Sequence, residues 1–495
     1  DIIEVTYQDG LNEYGQPELV RDEAAFGGIS GSVSGTWTLD GSPHLVTGDV
    51  TVDCGATLTI EPGAEIRFLP ECRLEVLGRL SAPGDQEHPI LLRHVRDTVD
   101  PLEPLWDGIL FDPMSECPNQ PASTLSHCAI EQAAIGCVIS GSSTTTLSHC
   151  SIRDCGGYGV LVYQASRPVT IENCVIEECG WNDPDAGGLG ISSVWTGNNL
   201  QVRGCRIEGN YETGVDLEFT AGGRIVDCVI TGNHGWGIFV DEMAIPSELT
   251  FRSCLIEDNA RDHDVYCDDG VPAFILDLRE NDWGAQSTGE MNAGPNPRNL
   301  TRVRDRFDEP ALPEINYGRW IGGVGPFGYT AEIVLADENW NPIQTRLPEE
   351  SDTLRVMVFE PDGGSAPTGE ARSDSDSSGT PLVFEVVPDQ PGSYRATLPL
   401  DHLEQADGPP PGGRYRSGRN DDVALTVRSG DRINVSYLDP LDDYGNQRTV
   451  EDEAPLGGVA GPVSGTWSRE EGPYVVTGDL LVLTGASLVI EAGTE

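Results

Sequence analysis

Between Leu125 and Cys267 one pattern recurs six times: Cys128-Ala129-Ile130, Cys150-Ser151-Ile152, Cys174-Val175-Ile176, Cys205-Arg206-Ile207, Cys228-Val229-Ile230 and Cys254-Leu255-Ile256. The steps between these cysteines are 22, 24, 31, 23 and 26 residues, which fit no helical or heptad period but suit a chain that winds once and returns to the same place. Five residues after the later cysteines comes a second marked position, held by Cys155, Cys179, Asn210, Asn233 and Asn259. A Gly-Val or Gly-Ile step then leads into a short apolar strand, as in Gly159-Val160-Leu161-Val162, Gly190-Ile191, Gly214-Val215-Asp216-Leu217 and Gly237-Ile238-Phe239-Val240.

Each turn therefore reads as two or three short strands with tight corners. One turn cannot bury its own apolar face, so it is stable only with neighbours stacked above and below. Stacking places the cysteines in one internal row and the asparagines in another, about 4.8 Å from rung to rung. A row of side-chain amides can bond within itself and to bent backbone that no sheet satisfies. The expected architecture is a parallel β-helix, an all-β fold.

The ends of the chain match each other. Asp431-Arg432-Ile433-Asn434-Val435-Ser436-Tyr437 repeats Asp1-Ile2-Ile3-Glu4-Val5-Thr6-Tyr7, and Gly461 to Trp467 repeats Gly31 to Trp37. Residues 431–495 align with 1–65 without a gap, and 33 of the 65 positions are identical. The expectation is a long tandem repeat, of which this sequence holds one period plus the opening of the next, within a longer natural polypeptide.

From Tyr329 the character changes. Ala331 to Leu335, Thr353 to Phe359, Leu382 to Val387, Ser393 to Leu398, Val423 to Val427 and Arg432 to Tyr437 read as longer strands separated by acidic Gly/Pro-rich turns, with Gly363 to Ser378 and Glu404 to Asn420 as polar loops. Such a run suggests an antiparallel sandwich. The expected division is 1–22, the final strand of a preceding sandwich; 23–320, the β-helix with its closing segment; 321–455, the sandwich; and 456–495, the start of the next β-helix. Trp37 is a candidate cap for the first turn, and Asn281 to Trp320 is expected to close the far end as irregular chain with one short helical turn.

The formal charge is −51, from 81 Asp plus Glu against 30 basic residues, and all of the latter are arginine. Such an excess argues against nucleic acid or an anionic membrane as partner. It fits a halophilic, heavily hydrated surface, one neutralised by divalent cations, or a secreted acidic protein. Nowhere is there an 18-residue apolar span, so no transmembrane segment is expected. The 13 cysteines include no CxxC pair, and their even spacing suits stacked small apolar groups better than zinc. A disulfide between adjacent turns, such as Cys155 to Cys179, is conceivable in an oxidising setting.

These features carry a resemblance. The Cys-x-Ile solenoid, roughly residues 30 to 320, resembles the right-handed parallel β-helix proteins of the pectin lyase-like superfamily. Residues 325 to 450, with the strand Gly430 to Tyr437 before an acidic turn, look like the Ig-like repeats of large bacterial surface proteins. The resemblance implies a right-handed parallel β-helix followed by an Ig-like β-sandwich in tandem repeat, at an extracellular or cell-surface location. It also implies a filament, stalk or adhesin whose partners are neighbouring copies, joined covalently or head-to-tail by strand addition.

Lyases of this fold, by the same resemblance, use acidic residues holding calcium beside an arginine or lysine. The candidate acids here are Asp216, Glu218, Asp241, Glu242 and Asp264, with Asp268 and Asp269 close by, and Arg224 or Arg252 as the base. Asp216 and Asp241 are the candidates for a glycosidase pair. His127 and His149 precede successive ladder cysteines and are expected to stack. A second candidate is calcium, Ca2+, held by Asp439, Asp442, Asp443 and Asn446 and again by Asp9 and Glu13, because hard oxygen ligands in a tight turn suit that ion. The balance of these readings is a rigid structural spacer rather than an enzyme. The alternative is a polysaccharide lyase, a glycoside hydrolase or a glycan-binding β-helix, with polysaccharide as a possible partner.

Overall fold

The structure, a computed structural model, describes every residue except 1, 10–17, 26, 97–102, 113–120, 193–199, 219–221, 242–248, 272–273, 325, 344–346, 349–350, 361–367, 389, 391, 403–423, 429, 458, 463–464, 468–475, 482–487 and 491–495. The chain divides into two units, 1–324 and 325–495.

In the first unit the solenoid expected from the cysteine spacing is present, and each turn supplies one strand to each of three parallel ladders. The first ladder includes Cys128–Glu131, Ser151–Arg153, Val175–Glu177, Arg206–Glu208, Val229–Thr231 and Leu255–Glu257. The second includes Cys137–Ser140, Val160–Tyr163, Gly187–Ser192, Thr213–Glu218, Ile238–Val240 and Val265–Cys267. The third includes Ser123–Ser126, Thr145–Ser148, Val169–Glu172, Leu200–Arg203, Gly223–Val226 and Leu249–Arg252. In-register pairing stacks like on like. Ile130, Ile152, Ile176, Ile207, Ile230 and Ile256 lie one above another with no exposed surface, and each such side chain contributes about 1.5–3 kcal/mol by leaving water.

The corners follow one rule. A residue with positive φ stands directly before each cysteine or asparagine of the two corner rows. Before the first row these residues are His127, His149, Asn173, Gly204, Asp227 and Ser253, with φ from 48° to 62°. Before the second row they are Asp154, Glu178, Gly209, Gly232 and Asp258, with φ from 55° to 65°. Short polar side chains and glycine tolerate this left-handed conformation best. The rings of His127 and His149 stack as expected, 4.8 Å apart and 4° from parallel.

The inward side chains then satisfy the bent backbone. Thiols of the first row donate to carbonyls of the turn before, as from Cys150 to Leu125 and Cys254 to Ile225, both at 3.6 Å. Asn281 ends that row, accepting from the Cys254 N–H at 2.8 Å and donating to the Phe251 carbonyl at 3.1 Å. In the second row the Asn210 amide donates to Asn233 at 2.9 Å, and Asn233 to Asn259 at 2.9 Å. Asn259 donates to the buried Asp264 carboxylate at 3.0 Å, which Arg302 grips with two 2.8 Å contacts. Cys155 and Cys179 are free buried thiols, not a disulfide, while Cys54 is disulfide-bonded. Burial pushes the thiols of Cys137 and Cys179 well up, and that of Cys267 to about 12, so these are neutral packing groups.

Trp37 lies buried on the edge strand Gly35–Trp37, which opens the third ladder, and stacks on His44 at 5.5 Å. The far end is more ordered than expected. A nine-residue helix, Gly284–Asn292, is followed by Val303–Arg304 and Glu314–Asn316, which add rungs to the second and third ladders. Trp283, Tyr317 and Trp320 are buried together there.

In the second unit two mainly antiparallel sheets share one core. One holds Glu332–Ala336, Thr353–Phe359, Ser393–His402 and Glu385–Val386, with Leu425–Val427 added in parallel. The other holds Thr380–Val383, Thr368–Ser373, Arg432–Asp439 and Arg448–Pro455. Leu335, Val356 and Leu425 from the first pack with Ala371, Ile433 and Val435 from the second. Thr368–Ser373 falls inside the stretch expected to be a polar loop. It is a strand because Arg432–Asp439 pairs with it and buries Ala371 and Ser373. The N-terminal segment is likewise a hairpin rather than a single strand, Ile2–Asp9 against Glu18–Ala25.

Cutting the buried ion pair at the end of the asparagine row tests its weight. Arg302→Met leaves Asp264 unpaired and is expected to cost about 3–5 kcal/mol, against about 1–3 kcal/mol for Asn233→Ala. Urea unfolding of both variants measures the difference.

Candidate functional site

The site grows from one outward row of the second ladder. Register aligns Leu161, Gly190, Asp216, Phe239, Tyr266 and Arg304 on successive rungs. Gly190 leaves a gap in this row. A Cβ there would stand 2.9 Å from Cε1 of Tyr158 and 2.8 Å from Leu161, so the glycine makes room for the Tyr158 ring.

The Tyr158 hydroxyl reaches three oxygens. It contacts Oδ2 of Asp216, the Asp185 carbonyl at 3.0 Å and Oε1 of Glu218 at 3.4 Å. A phenol has one proton and cannot donate to three acceptors. A carboxyl group that carries a proton resolves the conflict by donating to the phenol oxygen. Burial points the same way. Asp216 is 4% exposed, and its Oδ1 is buried without a hydrogen-bond partner. Burial, aided by the charges of Glu218, Asp241 and Asp185, pushes Asp216 up to about 7 despite the Tyr158 bond. The same desolvation, with Asp241 and Asp185 adding to it, raises Glu218. Burial beside these acids holds the Tyr158 phenol far above its ordinary range. Tyr158 is therefore a neutral donor, not a base.

Next to the acids stands an aromatic stack. Trp236 lies 4.7 Å from Phe239 and 4.4 Å from Tyr266, tilted 11° and 19°. Arg261 covers Trp236 at 4.5 Å and Arg304 covers Tyr266 at 4.9 Å.

Of the acids picked out in the sequence, Asp216, Glu218 and Asp241 come together here. Glu242 lies outside the described residues. Asp264 belongs to the asparagine row, and Asp269 pairs with Arg304. The two proposed bases are elsewhere. Arg224 and Arg252 stand on the third ladder, and Arg252 is bound to Asp277, which Arg279 and Arg252 hold down to about 2 against the effect of burial. Sequence reading missed Tyr158 and the aromatic stack. The available signal was Tyr158-Gly159-Val160 against Trp236-Gly237-Ile238, the same place in two turns.

The acidic turn of the second unit, the candidate calcium site, is held by hydrogen bonds from its surroundings. Asp439 accepts from the N–H of Ala331 and of Leu441, both at 2.9 Å, and Asp442 from Tyr444 and Asn446 at 3.0 and 2.8 Å. Asp443 accepts from the Thr330 hydroxyl at 2.9 Å. Among the described residues no group of three or more His, Cys, Asp or Glu is placed to hold a metal ion. Asp9 sits in the first strand with its side chain outside the described residues, as is Glu13.

The family described as "Right handed beta helix region" matches residues 116–193 and 135–274. The solenoid is a right-handed parallel β-helix. Sixty-two residues are 40% identical to Protein bark beetle of Drosophila melanogaster, covering 12% of this chain and 2% of that protein. Among solved structures the chain is similar to an alginate lyase from Paenibacillus, with 14% identity, TM-score 0.27, and coverage of 45% of this chain and 78% of that one. It is also similar to the enzymatically active domain of tailspike protein 2 of bacteriophage CBA120, with 9% identity, TM-score 0.30, and coverage of 86% and 72%. The expectation that the chain is more a spacer than an enzyme is not kept: the solved structures it is similar to include an alginate lyase and the enzymatically active domain of a tailspike protein. Among the described residues no helix is long and apolar enough to cross a membrane.

The raised pKa of Asp216 makes stability depend on pH. Its proton is bound more tightly in the folded chain, so its contribution to stability is complete below pH ~4 and is lost as pH rises through about 7. The loss is on the order of 4 kcal/mol. Unfolding midpoints of wild type and Asp216→Asn between pH 4 and 8 should diverge in slope, the variant being flatter; parallel profiles would refute this.

Proposed function

We propose that the first unit acts on a polysaccharide, cleaving glycosidic bonds by acid–base chemistry at Glu218 and Asp241. The observation that carries this reading is the Tyr158 hydroxyl, ringed by more acceptors than one proton can serve. Glycoside hydrolysis calls for two carboxyl groups of unequal acidity, one protonated to meet the leaving oxygen and one ionised on the sugar. Glu218 and Asp241 are partly exposed, unlike the buried Asp216, so a glycan can touch them. Glu218 gives its proton to the glycosidic oxygen, and Asp241 stabilises the developing oxocarbenium ion or activates water. Asp216 and Tyr158 stand behind them as positioning residues that keep the proton on Glu218. A lyase reading has less support, because the neutral Tyr158 phenol is a poor base and Arg224 and Arg252 are elsewhere.

Release of reducing ends from a panel of polysaccharides tests the proposal. Glu218→Gln and Asp241→Asn should each lower the rate by about 10²–10⁴ with the circular dichroism spectrum unchanged. Tyr158→Phe should shift the alkaline limb of the pH–rate profile, which reports loss of the Glu218 proton. Turnover that survives both carboxylate changes would rule the assignment out.

A second observation supports the rod reading as the setting of this site. The hairpin pairing Ile2↔Ala25 recurs as Arg432↔Pro455, and the bulged pairing Ile29↔Val46, Gly31↔Val50 recurs as Val459↔Val476, Gly461↔Leu480. We read this as a tandem alternation of β-helix and Ig-like sandwich in an extracellular or cell-surface filament, adjacent copies being the partners. Micrographs of native material should show a string of units repeating once per 430 residues; isolated single units would end this reading.

A further inference from the structure

The aromatic stack and the charges around it point to the class of glycan. We propose that Trp236, Phe239 and Tyr266 form a binding platform for an uncharged pyranose glycan, not for a polyuronate. The proposal rests on the glycan-acting reading of Glu218 and Asp241. Three observations bear on it.

Position comes first. Phe239 is the register neighbour of Asp216, so the platform begins one rung, about 4.8 Å, from the acids. Trp236 stacks with Phe239 and Tyr266 in one cluster of nearly parallel, partly exposed rings, with the guanidinium groups of Arg261 and Arg304 over Trp236 and Tyr266. The apolar C–H face of a pyranose fits such a surface, with its hydroxyls left to the polar rim.

The cations are the second observation. A uronate carboxylate needs a positive partner when it leaves water. The chain contains no lysine, and every arginine around the platform already holds a carboxylate. Arg261 pairs with Glu212 at 3.0 Å, Arg302 with Asp264 at 2.8 Å, and Arg304 with Asp269 and with Glu309 at 3.4 Å. Burial also keeps His263, edge-on to Tyr266, below its ordinary range and hence neutral.

The third is repulsion. Asp185 and Asp241 push up both Asp216 and Glu218, within a chain of net charge −51. A polyanion approaching these acids meets like charge, whereas an uncharged chain does not.

Affinity electrophoresis through gels containing single polysaccharides tests the inference. The polymers are glucan, mannan, xylan and galactan on one side, and alginate and polygalacturonate on the other. Wild type should be retarded by at least one uncharged polymer and by neither polyuronate. Trp236→Ala and Tyr266→Ala should each weaken that retardation at least tenfold, and Trp236→Phe, which keeps the stack, should restore most of it. Circular dichroism and melting identify any variant that fails to fold, and the two alanine changes are scored independently. Retardation by polyuronates alone, by no polymer, or equally by wild type and both alanine variants would overturn the inference. Glu218→Gln separates it from the reading it rests on. Platform-dependent binding without any cleavage sustains the inference and removes the enzyme, whereas Glu218-dependent cleavage of a polyuronate sustains the enzyme and removes the inference.

Discussion

A parallel solenoid must bend its backbone at every corner, and each bend strands peptide groups that no ladder can pair. In this chain the constraint is met by a left-handed residue followed by an inward cysteine or asparagine, twice per turn. The thiol or amide bonds to the exposed peptide groups, and the bend sets the next strand in register. The stacked isoleucines, the flat outward rows and the site on the second ladder all follow from that register. Without fixed corners, turns of 22 to 31 residues would have no common frame.

The corners were legible in the sequence because a single residue type marks them at every turn. So were the stacking of His127 on His149 and the internal amide row, since neighbours of a marked residue inherit its register. The site was legible only in part. Asp216, Glu218 and Asp241 could be picked out as acids of adjacent turns, but the ring of Tyr158 reaches them from a corner two turns away, through a gap that only Gly190 permits. Charge alone does not say which ladder Arg224 and Arg252 stand on, and the structure places both on the third, away from the acids. Thr368–Ser373 escaped notice for a related reason. Gly369, Glu370 and Arg372 have little strand preference of their own, and the neighbouring strand imposes the conformation.

The acids of this chain show how a single residue type divides by its surroundings. At Asp439 and Asp442 backbone N–H groups serve the carboxylates, which is a structural use. At Asp264 a guanidinium serves it, again structurally. At Asp216 the partner is a phenol whose one proton is contested, and one oxygen goes unserved. A count of acids in sequence cannot separate these three, because what differs is the donor.

The asparagine row has a direction. Each amide turns its oxygen toward the turn before and its nitrogen toward the turn after, so the small dipoles add along the axis as they do in a helix. Their positive end arrives at Asp264, the only member that accepts without donating onward. Turns inside the row are thus interchangeable, since each amide accepts from the amide before it and donates to the one after. The last turn is not. A lineage could lengthen this rod by copying a middle rung, but any cut that removed the carboxylate and its arginine would leave the amide line ending on nothing.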